Sequence, residues 1–133
     1  MLDTNVILDV WLAREPYWRD AAQLVGSIER KEMEGFVCPT TITTLHYLGK
    51  KVLGEDRIRK LLANLLKIFQ VGDISSQVFE QALESKIHDF EDAVIEAVSV
   101  GSGVDVIATR NTKDFKKSKI PAREPIQLRK GDQ

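Results

Sequence analysis

The sequence predicts an α/β fold, an α/β/α sandwich with a central, mostly parallel sheet. Short apolar runs alternate with longer segments in which apolar residues recur every three to four positions, so strands alternate with helices. Strands joined through helices form right-handed crossovers and a sheet covered on both faces. Apolar residues make up 43% and charged residues 29% of the 133 residues, which is ordinary for a globular protein. We expect a single domain over residues 1–133.

The first half of the chain contains six predicted elements, each bounded by turn, cap or breaker residues. Asp3 or Thr4 is expected to cap the first helix, because short polar side chains accept hydrogen bonds from the free amides of a first turn. Pro39 fits the first turn of the third helix, and Gly54 ends that helix. The elements are a helix to residue 12, a helix over 18–31, a strand over 36–38, a helix over 39–53, a helix through 61–66 and a strand over 68–71.

The second half of the chain alternates in the same way. Asp73 and Ser75 open a fifth helix, whose inner face is expected to carry Val78, Ala82 and Leu83. The remaining predicted elements are a helix over 90–100 that ends at the glycines of positions 101 and 103, a strand over 104–108 and a strand over 126–128.

Several classes of protein are excluded by composition and by missing motifs. Cys38 is the single cysteine, which excludes a disulfide scaffold, and its apolar neighbours predict a buried, inert thiol. No apolar run approaches the roughly 20 residues of a membrane span. Asp3 and Asp9 interrupt the N-terminal apolar stretch, so no signal peptide is predicted and a cytoplasmic protein is expected. Dinucleotide-binding, P-loop, serine-hydrolase and zinc-ribbon motifs are absent from the sequence.

Charge is unevenly distributed along a chain whose net charge is −1. From Arg110 onward, eight basic residues stand against three acidic ones, a local charge of +5 that leaves −6 for the rest. A local basic patch can bind phosphates without strong non-specific affinity, although charge alone favours an ordinary solvated surface.

Three polar clusters stand where strands are expected to end or helices to begin. In an open parallel sheet, ligands bind beyond the carboxyl ends of the strands, so the clusters converge if their strands are neighbours. Taken singly, each cluster fits helix capping. Taken together, carboxylates at one sheet edge repel each other unless a cation binds, and oxygen ligands without zinc-type His or Cys spacing favour Mg²⁺ or Mn²⁺. The clusters are Asp3-Thr4-Asn5, then Asp89 with Glu91 and Asp92, then Thr109-Arg110-Asn111 with Asp114.

Four segments occur in a recognisable order along essentially the whole chain. They are Leu-Asp-Thr-Asn-Val-Ile-Leu-Asp at 2–9, Asp-Phe-Glu-Asp-Ala at 89–93, Asp-Val-Ile-Ala-Thr-Arg-Asn-Thr-Lys-Asp-Phe at 105–115 and Pro-Ile-Gln-Leu at 125–128. Together they resemble the PIN (PilT N-terminus) domain family. The resemblance implies a compact α/β/α sandwich and a ribonuclease that depends on Mg²⁺ or Mn²⁺, as in the VapC-type toxins of bacteria and archaea.

The resemblance also implies roles for individual residues. Asp3 falls on the first metal-binding acid and Asp92 on the third, with Asp89 as a further carboxylate one turn earlier, and these three are the expected catalytic residues. Asp114 completes the expected metal ligands. Only two residues precede Asp3, so the first strand is short, and a start upstream of Met1 is compatible with the pattern. The expected supporting or substrate-binding residues are Thr4, Asn5, Thr44, Thr109, Arg110, Asn111 and Lys113.

The sequence departs from the family pattern at two acidic positions. The second acid of the family lies early in the third helix, where the nearest match is Thr44, and that helix carries no carboxylate. The fourth acid position falls on Asn111, with Asp114 three residues further on. A subgroup of the family shares the Asp-Phe-Glu-Asp-Ala and Thr-Arg-Asn forms, so these departures are compatible with activity.

Two functions from different classes therefore stay open. The first is a metal-dependent endoribonuclease, a candidate toxin of a toxin–antitoxin pair, which cleaves single-stranded or looped RNA because the bases of such RNA are accessible. The second is a PIN-like module that binds RNA or a protein without cleavage, which the missing acids at Thr44 and Asn111 favour. A phosphatase with Asp3 as nucleophile is disfavoured, because Asn5 occupies the position of the second aspartate that it needs.

The expected partners are RNA, an antitoxin protein and a second copy of the chain. Arg110, Lys113 and Lys116 are placed to contact an RNA backbone, where basic side chains give affinity without base specificity. Large aromatic residues near the first two helices offer a dimer or partner surface, although burial in the core is favoured. These aromatic residues are Trp11, Tyr17 and Trp18.

Overall fold

Helices and very short strands alternate along the chain, and the computed structural model describes residues 1–128. The helices of this part are α1 (Thr4–Trp11), α2 (Trp18–Glu29), α3 (Pro39–Leu53), α4 (Glu55–Ile68), α5 (Ser76–Leu83) and α6 (Phe90–Ser102). The strands are β1 (Phe36–Val37), β2 (Gln70–Val71), β3 (Ile107–Ala108) and β4 (Ala122–Arg123), and two 3₁₀ helices cover Thr112–Phe115 and Pro125–Leu128. Among the described residues, none of the helices is both long and apolar enough to cross a membrane.

The strands form two parallel pairs that the first residues of the chain join. β1 pairs with β2, with Phe36 opposite Gln70, and β3 pairs with β4. Leu2 forms a parallel bridge with Ala108 and donates its backbone N–H to the carbonyl of Phe36 at 2.9 Å. The order across the sheet is therefore β2, β1, Met1–Leu2, β3 and β4. Because these strands are parallel, the chain segments that follow β1, Met1–Leu2 and β3 lie side by side at the carboxyl edge of the sheet.

Alternate residues of these strands point to opposite faces of the sheet, so each face carries its own apolar core. Leu2 and Ala108 pack into a core with buried side chains of α1, α2, α3 and α4. Met1 and Ile107 pack into a second core with α5, α6 and Phe115. The predicted α/β/α sandwich with parallel strands is confirmed.

The helix boundaries follow from the capping residues that the sequence contains. Asp3 caps α1, because its carboxylate accepts the Thr4 N–H at 2.9 Å. Pro39 occupies the first turn of α3, and Gly54, with a φ of 83°, separates α3 from α4. Gly103 closes α6 in the left-handed conformation, with a φ of 69°.

The strand predicted over residues 126–128 is wrong. Pro125–Leu128 forms a 3₁₀ helix, in which Gln127 donates its N–H to the carbonyl of Glu124 at 2.9 Å, and the last strand of the described chain is β4. Pro125 explains the difference, because proline has no N–H for a sheet ladder and its fixed φ suits a first helical turn.

The other corrections concern strand length and one helix face. The strands are shorter than predicted, since α4 continues through Ile68 and β3 is confined to Ile107–Ala108. Val78 and Ala82 pack on the inner face of α5 as predicted, but Leu83 is 74% exposed. Residues four positions apart share a helix face, whereas the next residue is rotated by about 100°, which turns Leu83 towards solvent.

The aromatic residues around the first two helices divide between core and surface. Trp11 packs against the first core and Trp18 is half-buried, whereas Tyr17 is 40% exposed and does not lie in the core. The guanidinium carbon of Arg110 lies 4.2 Å from the centre of the Tyr17 ring, a cation–π contact that covers one face of the ring.

Candidate active site

Asp3 lies at the carboxyl edge of the sheet and is buried. One of its carboxylate oxygens accepts the Thr4 N–H at 2.9 Å, and the other accepts the Thr109 hydroxyl at 2.8 Å. Burial raises the pKa of Asp3, the two hydrogen bonds lower it, and the negative charges of Glu91 and Asp114 raise it further. Asp3 is thus held in one orientation by a neighbour in sequence and by a threonine from the other end of the chain.

Threonine hydroxyls link the segments that follow the strands. Thr109 follows β3, donates to Asp3 and accepts the Asn111 N–H at 3.0 Å. Thr4 donates its hydroxyl to the Thr41 hydroxyl at 3.1 Å, and Thr41 lies in the first turn of α3, directly after β1. The first and third of the predicted clusters are therefore joined by direct hydrogen bonds.

The start of α6 brings further carboxylates to this edge. Asp89 caps the helix, because its side chain accepts the Asp92 N–H at 3.0 Å. The pKa of Asp92 is raised from 3.8 to about 7, first by burial and then by the negative charges of Asp3, Asp89 and Asp114. Charges from three separate segments act on this carboxyl, so the second predicted cluster lies within electrostatic reach of the other two.

Glu91 is a residue of this site to which the resemblance to the PIN family gives no role. Its carboxylate accepts a hydrogen bond at 3.5 Å from the Thr44 hydroxyl on α3, and its charge raises the pKa of both Asp3 and Asp92. The sequence signal that points to it is the missing acid at Thr44 together with an additional acid directly before Asp92.

Two partly exposed arginines pair with the buried Asp9 of α1 beside the site. Asp9 is 1% exposed and pairs with Arg14 at 2.7 Å and with Arg110 at 3.3 Å. Arg14 also donates to the side-chain oxygen of Asn5 at 3.1 Å. Arg110, which is expected to contact RNA, pairs with Asp9 and lies over the ring of Tyr17. Asn5 and Arg110 therefore occupy bracing positions.

The segment after β3 contributes Asp114 and a group of lysines. Asp114 donates its N–H to the carbonyl of Asn111 at 3.0 Å, and its charge raises the pKa of both Asp3 and Asp92. The side chain of Asn111 is exposed and does not cap the 3₁₀ helix that follows it. The exposed lysines of this segment are Lys113, Lys116, Lys117 and Lys119.

The donor set of the site suits a hard divalent cation. Its carboxylate oxygens are ligands that Mg²⁺ and Mn²⁺ prefer, and its accumulated negative charge is what such a cation neutralises. Within residues 1–128, however, no three side chains of His, Cys, Asp or Glu stand close enough together to hold one metal ion. The chemistry of the donors fits such a cation, but their arrangement among the described residues does not form a metal-binding group.

Cys38 directly follows β1 and is buried, as its neighbours predict. Its side chain is fully buried and lies 3.1 Å from the Thr40 hydroxyl. Burial raises the pKa of the thiol, so the thiolate that nucleophilic attack requires is disfavoured.

Comparison with known proteins assigns the family. Residues 1–113 match the profile of the family described as PIN domain. A search of curated proteins found no match. Among solved structures, one described as FitAB bound to an IR36 DNA fragment superposes with a TM-score of 0.66 at 20% identity, covering 98% of this chain and 97% of that chain. At this identity the likeness shows a shared fold alone, so the assignment rests on the profile match. The chain belongs to the PIN domain family.

Proposed function

We propose that this PIN-domain chain is an endoribonuclease that depends on Mg²⁺ or Mn²⁺. One observation carries the proposal: Thr109, after β3, fixes the buried Asp3 carboxylate at 2.8 Å, and Asp92 and Asp114 come from two other segments into electrostatic reach of it. Crowded carboxylates cost free energy in the folded state, and a bound cation offsets that cost. Membership of the PIN domain family supports a nuclease rather than another metal-dependent activity.

Each side chain of the site receives a role in this proposal. Asp3, Asp92 and Asp114 would hold the cation, and Asp89 adds a carboxylate while it caps α6. When bound, the cation supplies a positive charge that activates water and stabilises charge on the scissile phosphate. The other residues orient these carboxylates or the RNA, and they are Thr4, Asn5, Thr44, Thr109, Arg110, Asn111 and Lys113.

The substrate that we propose is single-stranded or looped RNA. A flexible strand can bring successive phosphates to exposed lysines, which supply affinity without base specificity. Its bases are also accessible, unlike those of a duplex. The lysines nearest the site in sequence are Lys113, Lys116 and Lys117.

The partners and location belong to the same proposal. We propose that the chain acts in the cytoplasm as the toxin of a toxin–antitoxin pair, with an antitoxin protein and a second copy of the chain as its protein partners. The fold shared with FitAB, which was solved bound to a DNA fragment, supports an association with nucleic acid.

The second candidate is a PIN-like module that binds RNA or a protein without cleaving it. The observation that favours it is that two acidic positions of the family carry no carboxylate here. Thr44 stands at the first of them, on α3, and Asn111 stands at the second. Such a module needs the fold and the basic segment but not the cation.

Asp3→Asn separates the two candidates. The change removes a charge, keeps the side-chain shape and retains a residue that caps helices well, so α1 should stay intact. The assay is a time course of cleavage of a mixed-sequence single-stranded RNA with Mn²⁺, Mg²⁺ or chelator. We expect metal-dependent cleavage by the wild type and none by Asp3→Asn.

Asp105→Asn is the matched control, because Asp105 is an exposed aspartate just before β3, at the opposite end of the same sheet. It should cleave like the wild type. A wild type that binds RNA without metal-dependent cleavage identifies the binding module. Cleavage that persists in chelator or in Asp3→Asn identifies a contaminating nuclease and contradicts the proposal.

A further inference from the structure

Glu96 is a buried carboxylate near the site that the proposed function does not use. It lies in α6 four residues after Asp92, so both side chains lie on the same face of the helix. Glu96 is 5% exposed, and both of its hydrogen-bond donors are neutral. A buried carboxylate is costly unless hydrogen bonds satisfy it, so its presence requires a reason.

Each oxygen of Glu96 binds a different loop. Ser85, in the turn that leads to Asp89, donates its hydroxyl to Oε1 at 2.6 Å. The backbone N–H of Lys119, in the turn that follows Asp114, donates to Oε2 at 2.8 Å. The Glu96 carboxylate therefore ties two loops to α6, the loop that leads to Asp89 and the loop that follows Asp114.

A carboxylate is the side chain that satisfies both donors. The Ser85 oxygen already accepts the Ile87 N–H at 3.0 Å, so its own hydrogen points at Glu96. A glutamine has one acceptor oxygen, which the Lys119 N–H needs, so its NH₂ group faces Ser85 and the serine hydroxyl must turn its hydrogen away to accept it. Glu96→Gln therefore preserves the side-chain volume, replaces both charge-assisted bonds by weaker neutral ones and leaves the Ser85 hydrogen without its acceptor.

We infer that Glu96 is a positioning residue, which holds Asp89 and Asp114 in place relative to Asp92 so that the site can bind its cation. The inference rests on the proposed function. It differs from a purely structural role because it predicts a loss of cation affinity that is separate from any loss of stability.

The experiment measures Mn²⁺ binding to the purified full chain by electron paramagnetic resonance, below the melting temperature of every variant. We expect Glu96→Gln to weaken Mn²⁺ binding at least about tenfold, since partners that orient metal ligands change affinity by 10- to 100-fold. The double variant Glu96→Gln with Asp114→Asn should lose less Mn²⁺ affinity than the two single variants predict. The product of the two single fold-losses should exceed the measured fold-loss by at least about threefold, because Glu96 acts partly through Asp114.

Ser99→Ala is the matched control. Ser99 is also buried in α6, but its hydroxyl donates at 2.7 Å to the carbonyl of Ile95 within the same helix. It should leave Mn²⁺ affinity within about twofold of the wild type, because its hydroxyl bonds within α6 and ties no loop to that helix. If Glu96→Gln does not fold, Ser85→Ala removes one tie and carries the same expectation for Mn²⁺ affinity.

The outcomes separate this inference from the proposed function. If the Glu96→Gln protein loses stability but binds Mn²⁺ like the wild type, the positioning role is overturned and the nuclease proposal stays in place. A wild type that binds no Mn²⁺ overturns both, because a site without a cation has nothing to position.

Discussion

Replacing Asp92 with asparagine should stabilise the cation-free protein at alkaline pH. The pKa of this carboxyl is about 7 in the folded protein against 3.8 as the reference value. The folded state therefore holds the proton more tightly than the unfolded chain does, and this group costs stability as the pH rises from about 4 to 7. Below about pH 4 the carboxyl is protonated in both states, so the cost disappears there.

The magnitude follows from the two pKa values and from the exposure of Asp92. Their difference corresponds to at most about 4 kcal/mol. Asp92 is only partly buried, and solvent screening reduces the cost to about 1–2 kcal/mol. Asparagine also loses the favourable interaction of a negative charge with the first turn of α6, about 0.3–1 kcal/mol. The net gain is about 1 kcal/mol, which raises the melting temperature of a domain of this size by about 3–5 °C.

The assay is thermal unfolding of wild type and Asp92→Asn in chelator at pH 8 and pH 5. The gain should be full at pH 8 and fall to roughly a third at pH 5, because pH 5 lies about a third of the way from 3.8 to 7. Asp56→Asn is the control, because Asp56 is an exposed first-turn aspartate of α4, and it should not show this gain. Millimolar Mn²⁺ should raise the melting temperature of the wild type and not of Asp92→Asn. An Asp92→Asn protein that melts below the wild type at pH 8, or a shift equal at both pH values, would refute the electrostatic reasoning.

Glu91→Gln should weaken Mn²⁺ binding at least about tenfold, and adding Thr44→Glu to this variant should restore most of the lost affinity. Glu91 Oε1 and Thr44 Oγ1 lie 3.5 Å apart, so a glutamate at either position can place its carboxylate in the same part of the site. Titration calorimetry tests this, with the exposed Glu80→Gln on α5 as control, and a double variant no better than Glu91→Gln contradicts it. Replacing the exposed Lys113, Lys116 and Lys117 with alanine should reduce the slope of log affinity for RNA against log salt concentration by roughly 0.7 per lost contact. Fluorescence anisotropy measures this slope, and each change should alter the free energy of unfolding by less than about 0.5 kcal/mol. An unchanged slope would make the segment that carries Lys113, Lys116 and Lys117 an ordinary solvated surface.

Features that depend on neighbours in sequence were predictable. The cap at Asp3, the start of α3 at Pro39 and the glycine cap of α6 at Gly103 each need only a few adjacent residues, and all three agree with the structure. The predicted end of α6 at residue 100 was too early, because the helix continues through Gly101 to Ser102. The alternation of strands and helices predicts the sandwich for the same reason, because the period of the apolar residues decides each element. The strand at 126–128 failed because an apolar run does not show which backbone groups find partners, and Pro125 cannot join a ladder.

The sequence by itself determined which residue types could form a site, since motifs and strand ends bring acids to one edge of a parallel sheet. Only the tertiary structure decided which of them meet. The hydroxyl of Thr109 reaches Asp3 across 106 positions, Thr44 reaches Glu91 across 47, and Arg110 pairs with the buried Asp9 rather than standing free at the surface. Sequence spacing sets the face of a helix on which a side chain lies, but a hydrogen bond between two elements depends on how their cores pack. Burial then adds what no spacing contains, because the pKa of Asp92 rises through loss of solvent and through charges that come from distant segments.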